Sequence, residues 1–181
     1  MRIQFSLKWL LSYVVICSCV LGVFTRWAHK AIVQQRAVEY IISHGGHNLP
    51  WIGIRYDHEP QGGWTDSGRP WSDDFFHDVV AVSLLDCIEG TDDIMKEVAH
   101  LERVEALDFE NTDLSDVGLQ EIRHLKRLRQ LHIHEAPLTD ASLELLSGLP
   151  ETVTVDVTLT NISDGALARL KRARGDRMGN R

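Results

Sequence analysis

A 24-residue unit that occurs three times in succession constrains this chain more than any other feature of its sequence. The units span residues 104–127, 128–151 and 152–174, and the third is one residue shorter than the others. Once aligned, they share five apolar columns: Leu107/Leu131/Val155, Phe109/Ile133/Val157, Leu114/Leu138/Ile162, Leu119/Leu143/Leu167 and Ile122/Leu146/Leu170. A unit of this length cannot bury its apolar face alone, so we expect consecutive units to stack against one another.

Each unit is predicted to form one short strand followed by one helix. The first half alternates between apolar and polar residues, as in segment 107–109, which places the apolar side chains on one face of a strand. In the second half, Leu119, Ile122 and Leu125 have helical spacing. The residues placed to cap the helices are Ser115 or Asp116, Thr139 or Asp140, and Ser163 or Asp164.

A fourth, less regular unit is predicted over residues 80–103. Counting back 24 residues from Asp116 and Leu125 of the unit 104–127 leads to Asp92 and Leu101. The strand of this unit, Val79 to Leu85, is one residue out of step, with Val82 and Leu84 as its inward pair. We therefore expect one extra residue in the bend between Asp86 and Gly90.

The repeat resembles the helix-containing leucine-rich repeat, whose pattern is LxxLxLxxTxITDxGLxxLxxL. The matching residues are Thr112 and Thr160, the column Asp116/Asp140/Asp164, and Gly118, whereas Ala136, Ser142 and Ala166 depart from the pattern. The resemblance covers residues 79–174. It implies an α/β fold, a short right-handed leucine-rich-repeat solenoid of parallel strands lined by helices. It implies no particular activity, because such repeats occur in proteins with unrelated tasks.

The N-terminal residues 1–26 are predicted to form a membrane anchor. Residues 9–25 contain no charged side chain and are bracketed by Trp9 and Trp27, as in a single membrane-spanning helix. A cleaved signal peptide and a lipoprotein are the alternatives. The basic residues before and after the segment nearly balance, so the positive-inside rule does not decide its orientation. We place the body outside the cytoplasm.

Residues 27–78 are predicted to form a juxtamembrane helix and a cap for the first repeat. The helix would extend over residues 28–43 and stop at Gly45-Gly46, followed by a strand over residues 49–56. Residues 59–71 read as a loop, and residues 72–74 as the cap of a short helix. With the starting sequence MRIQFSLKWLL and the segment Asp73–Phe76, this order resembles small membrane-anchored leucine-rich-repeat proteins of planctomycete bacteria.

Charge and motifs exclude several functional classes. Residues 37–168 contain eight Lys or Arg against 25 Asp or Glu, which argues against a nucleic-acid partner. The chain has neither a phosphate-binding glycine loop nor a metalloprotease or nucleophile-elbow motif, and its three cysteines do not suggest a disulfide framework. We expect a protein without enzymatic activity or cofactor. The basic residues 175–181 are expected to fray as a solvated tail together with the end of the last helix.

The polar side chains of the predicted strands form the candidate site. If the repeats are in register, His132 lies between Asp108 and Asp156, and His134 lies beside Glu110. We predict that a protein partner binds this face through Asp108, Glu110, Gln130, His132, His134 and Asp156. A small metal-dependent hydrolase or metal-binding protein that uses the His132/His134 face is one alternative. A pH-responsive surface and a non-catalytic envelope spacer are the others.

Overall fold

The chain folds into a mixed α/β structure with a long apolar N-terminal helix and a five-stranded, mostly parallel sheet. It is known from a computed structural model that describes residues 7–44, 51–57, 77–175 and 178. The helices are α1 (Leu7–His44), α2 (Thr91–Val98), α3 (Asp116–Leu119), α4 (Leu143–Gly148) and α5 (Asp164–Arg174). The strands are β1 (Trp51–Tyr56), β2 (Val79–Leu85), β3 (Ala106–Glu110), β4 (Gln130–His134) and β5 (Thr154–Thr158). Short 3-10 helices continue α3 (Gln120–His124) and precede α4 (Asp140–Ser142).

The strands of the three aligned units are neighbours in the sheet, in the predicted register. The sheet order is β1-β2-β3-β4-β5, and β2 to β5 are parallel. Leu107 pairs with Leu131, which in turn pairs with Val155. In β2, Val82 pairs with Leu107, an offset of 25 residues. The extra residue between β2 and α2 is therefore confirmed.

The apolar columns form one continuous core on the helix side of the sheet. Its largest fully buried side chains include Leu84, Leu107, Phe109, Leu131 and Ile133 from the strands and Ile94, Leu119 and Ile122 from the helices. Burying a side chain of this kind contributes roughly 1.5–3 kcal/mol. Burial of these columns confirms the predicted alternation in β3 and β4 and the helical stripe of Leu119, Ile122 and Leu125. Leu143 and Leu167 are only partly buried, and β5 departs from the alternation because Asp156 is buried as well.

The cap is formed by β1 and the second half of α1. β1 is antiparallel to β2, with Trp51 opposite Leu85 and Tyr56 opposite Val79. On α1, the buried residues are Ala31, Gln34, Ala37, Val38 and Ile41, which pack beside α2. The predicted stop at Gly45-Gly46, the loop over 59–71 and the short helix beginning at 72–74 lie outside the described residues.

The first half of α1 is a continuous extension of the packed half. Residues 12–26 are exposed, whereas the first buried residue is Ala31. The segment Ser12–His44 of α1 is long and apolar enough to cross a bilayer, with a mean hydropathy of 1.2. Gln34 fixes the junction because its side-chain amide donates to the His77 carbonyl (2.8 Å), and its oxygen accepts from the Val79 amide (3.4 Å).

The aspartate column links each unit to the next. Asp92 accepts from the amide of Ser115 (2.8 Å) and from its hydroxyl (2.5 Å). Asp116 accepts from the amide (3.0 Å) and hydroxyl (2.5 Å) of Thr139, and Asp140 from the amide (2.7 Å) and hydroxyl (2.8 Å) of Ser163. The hydroxyl residues are themselves the N-caps. Each aspartate therefore holds the cap of the following helix and is not a cap.

Small residues occupy one column of the repeats, Gly118/Ser142/Ala166, because consecutive units pack closely at this position. A Cβ atom on Gly118 would lie 2.8 Å from the backbone Cα of Asp92 and 2.1 Å from its Oδ1. In the next unit the equivalent Ser142 is fully buried and donates its hydroxyl to Asp116. A larger side chain in this column would separate consecutive helices.

The expectation that the basic C-terminal segment frays is wrong for Arg174 and Met178. Arg174 is 6% exposed, and its guanidinium donates to four backbone carbonyls at and after the end of α4: those of Leu146, Leu149, Pro150 and Val153. The Leu146 carbonyl is one of the acceptors that the end of α4 leaves without an intrahelical partner, and the other three belong to the segment that follows the helix. Met178 is buried and forms a bridge with Val155.

We predict that Asp116→Ala destabilises the fold more than Asp164→Ala does. Both residues follow a Ser or Thr N-cap, so both substitutions remove the same favourable interaction with a helix N-terminus. Only Asp116 also accepts three hydrogen bonds from a following unit. The expected difference in the free energy of unfolding is about 1–3 kcal/mol, measured by urea denaturation in detergent. Equal destabilisation would show that the aspartate column does not couple the units.

The aspartate column should also make stability depend on pH in acid. Burial alone would raise the pKa of Asp116, but hydrogen bonds from Ser142 and Thr139 outweigh it, and the pKa lies below its ordinary value of 3.8. Hydrogen bonds from the amide and hydroxyl of Ser163 lower the pKa of Asp140 in the same way. Because both values are lowered on folding, this stability is present above the ordinary pKa and is lost as the pH falls through the folded values.

The Asp116→Asn/Asp140→Asn double variant tests this dependence. The natural chain should lose stability steadily from about pH 5 downward, and the double variant should lose less over the same range. Urea midpoints at a series of pH values provide the measurement, and Asp164→Asn is the control. Parallel curves for the natural chain and the double variant would contradict the assignment.

One residue directly after each parallel strand has a positive φ. These residues are Asp86 (φ 58°), Asn111 (51°), Glu135 (58°) and Leu159 (51°). The left-handed conformation costs an L-residue roughly 1–2 kcal/mol, and asparagine tolerates it better than leucine. Since the Leu159 side chain is 70% exposed, little packing opposes its replacement.

Leu159→Asn should therefore raise the free energy of unfolding, by about 1 kcal/mol. Leu159→Val should lower it, because a β-branched side chain fits this conformation worse than leucine does. Thermal or urea unfolding of the three chains measures both changes. If the two substitutions shifted stability in the same direction, backbone strain at this position would not be the cause.

Candidate functional site

The polar side chains of the parallel strands lie in rows across the sheet face that points away from the helices. One row follows the pairing Gly53, Ser83, Asp108, His132 and Asp156 from β1 to β5. A parallel row contains Leu85, Glu110, His134 and Thr158. The strand register therefore places the predicted site residues side by side, with His132 between two carboxylates, as the sequence predicts.

The two histidines differ in how closely they approach their neighbours on β5. His134 Nδ1 lies 2.7 Å from the Thr158 hydroxyl, which is a hydrogen bond. His132 Nδ1 lies 3.9 Å from Asp156 Oδ2, a separation suited to an ion pair but too long for a hydrogen bond. The Asp156 side chain is 8% exposed, whereas that of His132 is 38% exposed. A mostly buried carboxylate thus lies beside an accessible imidazole.

The rows line a shallow depression of about 550 Å³. All six predicted site residues contribute to its wall: Asp108, Glu110, Gln130, His132, His134 and Asp156. Arg55 on β1 also contributes, since it pairs with Ala81 at the start of the row that continues to Ala106 and Gln130. With neutral histidines, the depression contains three negative charges and one positive charge. A ligand that presents cationic and hydrogen-bonding groups would complement it.

Arg55 is the site residue that sequence reasoning missed. It precedes the repeats, so no column of the alignment includes it. The alternation within β1 could have indicated that Arg55 lies on the polar face, because it stands between Ile54 and Tyr56. In the structure these two neighbours are buried, whereas Arg55 is half-buried. Only the antiparallel pairing with β2 places its side chain at the depression.

The hypothesis of a metal site on this face receives no support from the geometry. Within the described ranges, no three His, Cys, Asp or Glu side chains come together as ligands for one ion. His132 Nδ1 and Asp156 Oδ2 are 3.9 Å apart, and this pair does not amount to the four ligands of a structural zinc site or the three of a catalytic one.

Cys87, the cysteine of the folded body, lies in the core. Cys87 is 1% exposed, and burial raises the pKa of its thiol, an effect that the hydrogen bond with Thr91 partly offsets. A thiol of this kind is mostly protonated near neutral pH and is a weak nucleophile. Its environment is that of a packing residue in the bend after β2.

The evidence for the candidate site consists of the strand register and the chemistry of its residues. Comparisons of this chain with protein-family models, with curated proteins and with solved structures found no match.

Proposed function

We propose that this protein is a membrane-tethered recognition module that binds a protein partner through the polar face of its sheet. In this proposal the four units form a short leucine-rich-repeat solenoid. The strand and helix of each unit, the Thr-x-x-x-Asp spacing and the 24-residue period all support the resemblance. The α1 helix would span the bilayer with the body on one side.

The observation that carries the proposal is the composition of the sheet face. Gln130, Glu110 and Thr154 are exposed, and Asp108, His132, His134 and Thr158 are half-buried around the depression. Side chains of this kind supply directional hydrogen bonds and charge, which give an interface its specificity more than its affinity. A sheet supports them on fixed backbone positions about 4.8 Å apart, so a partner would meet a preorganised pattern.

The negative excess of the depression indicates the partner chemistry. A Lys or Arg side chain from the partner could lie between Asp108 and Glu110, where it would find carboxylate acceptors. Arg55, which also lines the depression, would favour an acidic or amide group beside that cation. The proposed partner is therefore a protein segment with mixed charge and at least one basic side chain.

Site-specific photocrosslinking in native membranes tests this proposal. A benzophenone amino acid in place of Gln130 is on the sheet face, and the same amino acid in place of Glu144, an exposed residue on α4, provides the matched control. We expect one or a few defined protein adducts from position 130 and none of the same mass from position 144. The substitutions Asp108→Asn and Glu110→Gln should reduce the adducts at least tenfold, since each removes a charged hydrogen-bond acceptor.

A charge-matched double variant, Glu121→Gln with Glu144→Gln, removes two acids from the helix side and should leave the adducts unchanged. Identical adducts from positions 130 and 144, or adducts from 130 that survive loss of Asp108 and Glu110 charges, would refute recognition through this face.

A further inference from the structure

The two edges of the parallel sheet have opposite charge. We define the carboxyl edge as the segments that begin at or directly after the last residue of each parallel strand (86–93, 110–117, 134–141 and 158–165). The amino edge comprises the segments that lead into the strands or end α5 (99–105, 123–129, 147–153 and 171–175). The carboxyl edge contains ten Asp or Glu and no Lys or Arg, a net charge of −10. The amino edge contains eight Lys or Arg and three Asp or Glu, a net charge of +5.

The basic charge of the amino edge is concentrated in the unit between β3 and β4. Arg123, Lys126, Arg127 and Arg129 are all exposed, and residues 123–129 include no acid. Backbone hydrogen bonds place this segment at the start of the strands, since the Arg129 amide donates to the Glu105 carbonyl (2.7 Å) and the Arg129 carbonyl accepts from Thr154 (2.7 Å).

The apolar half of α1 leaves the body at this same edge. Lys30 forms an ion pair with Asp78, the residue before β2, and Arg103 Nε binds the same carboxylate at 3.0 Å. Arg103 belongs to the amino edge, and because Lys30 shares its carboxylate partner, Lys30 lies at this edge as well. Trp27 precedes Lys30 by three residues, roughly 4.5 Å along a helix. If Trp27 is at the bilayer interface, the amino edge lies within a few ångströms of the headgroups.

The amino edge also contains a groove between consecutive units. It has a volume of about 400 Å³, with Leu128, Leu145 and Leu149 among its apolar lining residues. Arg123 and Lys126 line it on one side, and Glu144 is the acid of its lining. A phospholipid suits this combination, because its phosphate can bind the cations while its glycerol region contacts the apolar floor.

We propose that the amino edge docks onto anionic phospholipid headgroups of the bilayer that holds α1, with Arg123, Lys126 and Arg127 binding lipid phosphate around the groove. This inference rests on the membrane attachment in the proposed function. The acidic carboxyl edge strengthens it, because repulsion from an anionic surface turns that edge away from the membrane. The amino edge then faces the lipid for two electrostatic reasons that act together.

Photocrosslinking from the full chain to lipid tests the proposal. The chain is reconstituted into vesicles that mix phosphatidylcholine and phosphatidylglycerol, with a benzophenone amino acid in place of Thr152, an exposed residue of the groove. The control position is Asn161, which is exposed on the carboxyl edge. Position 152 should yield lipid adducts in which phosphatidylglycerol exceeds its share of the vesicle at least fivefold, and position 161 should yield none. Fivefold corresponds to about 1 kcal/mol, the contribution of one basic residue near the surface.

Two sets of substitutions separate local recognition from total charge. Arg123→Gln/Lys126→Gln/Arg127→Gln should abolish the phosphatidylglycerol preference. Arg36→Gln/Lys96→Gln/Arg169→Gln removes the same number of exposed cations outside the amino edge and should preserve it. Circular dichroism of each variant establishes that the fold is retained.

Flotation of the same vesicles distinguishes failure of this inference from failure of the membrane attachment. A chain that floats with vesicles but gives adducts in proportion to lipid composition, or equal adducts from positions 152 and 161, would overturn the lipid-docking edge alone. A chain that floats with neither pure phosphatidylcholine nor mixed vesicles would overturn the membrane attachment and, with it, this inference.

Discussion

Parallel pairing with an offset of 24 residues is the constraint on which the rest of this structure depends. Because side chains alternate along a strand, the pairing that buries Leu107 beside Leu131 also places Asp108 beside His132 on the opposite face. A slip of one residue would exchange the two sets and bury charge. The same offset brings each aspartate to the hydroxyl cap of the next helix. Core, polar face and helix caps are therefore three consequences of one register.

Much of this arrangement could be predicted because the repeats provide independent copies of the same information. A single alternation such as that of 107–109 is compatible with several folds, but three aligned copies define both the strand and its neighbour. The extra residue between β2 and α2 could be located because the helix of the unit 80–103 keeps the offset of 24 residues, whereas its strand does not. Sequence periodicity fixed the positions of the polar face for the same reason.

Features outside the period could not be found in this way. Arg55 reaches the depression only through the antiparallel pairing of β1, for which the repeats give no register. The sequence places Arg174 in a basic segment that is expected to be solvated, because arginine is rarely buried. Its burial becomes favourable only where the end of α4 presents four carbonyls within reach of one guanidinium. The aspartate column was visible in the sequence, but whether it caps its own helix or holds the next cap depends on the distance between units.

The continuity of α1 has a consequence for how the proposed partner would approach. The helix passes from exposed apolar residues to the buried Ala31 and Ile41 without a break, so its axis and the sheet form one unit. If the amino edge faces the bilayer as proposed, the strands run along the membrane normal and the polar face points parallel to the membrane plane. A soluble partner would have to enter beside the membrane surface. A second membrane-attached protein already lies at that height and is confined to that plane, which raises its effective concentration at the face. A membrane-attached partner is therefore the kind that this geometry favours.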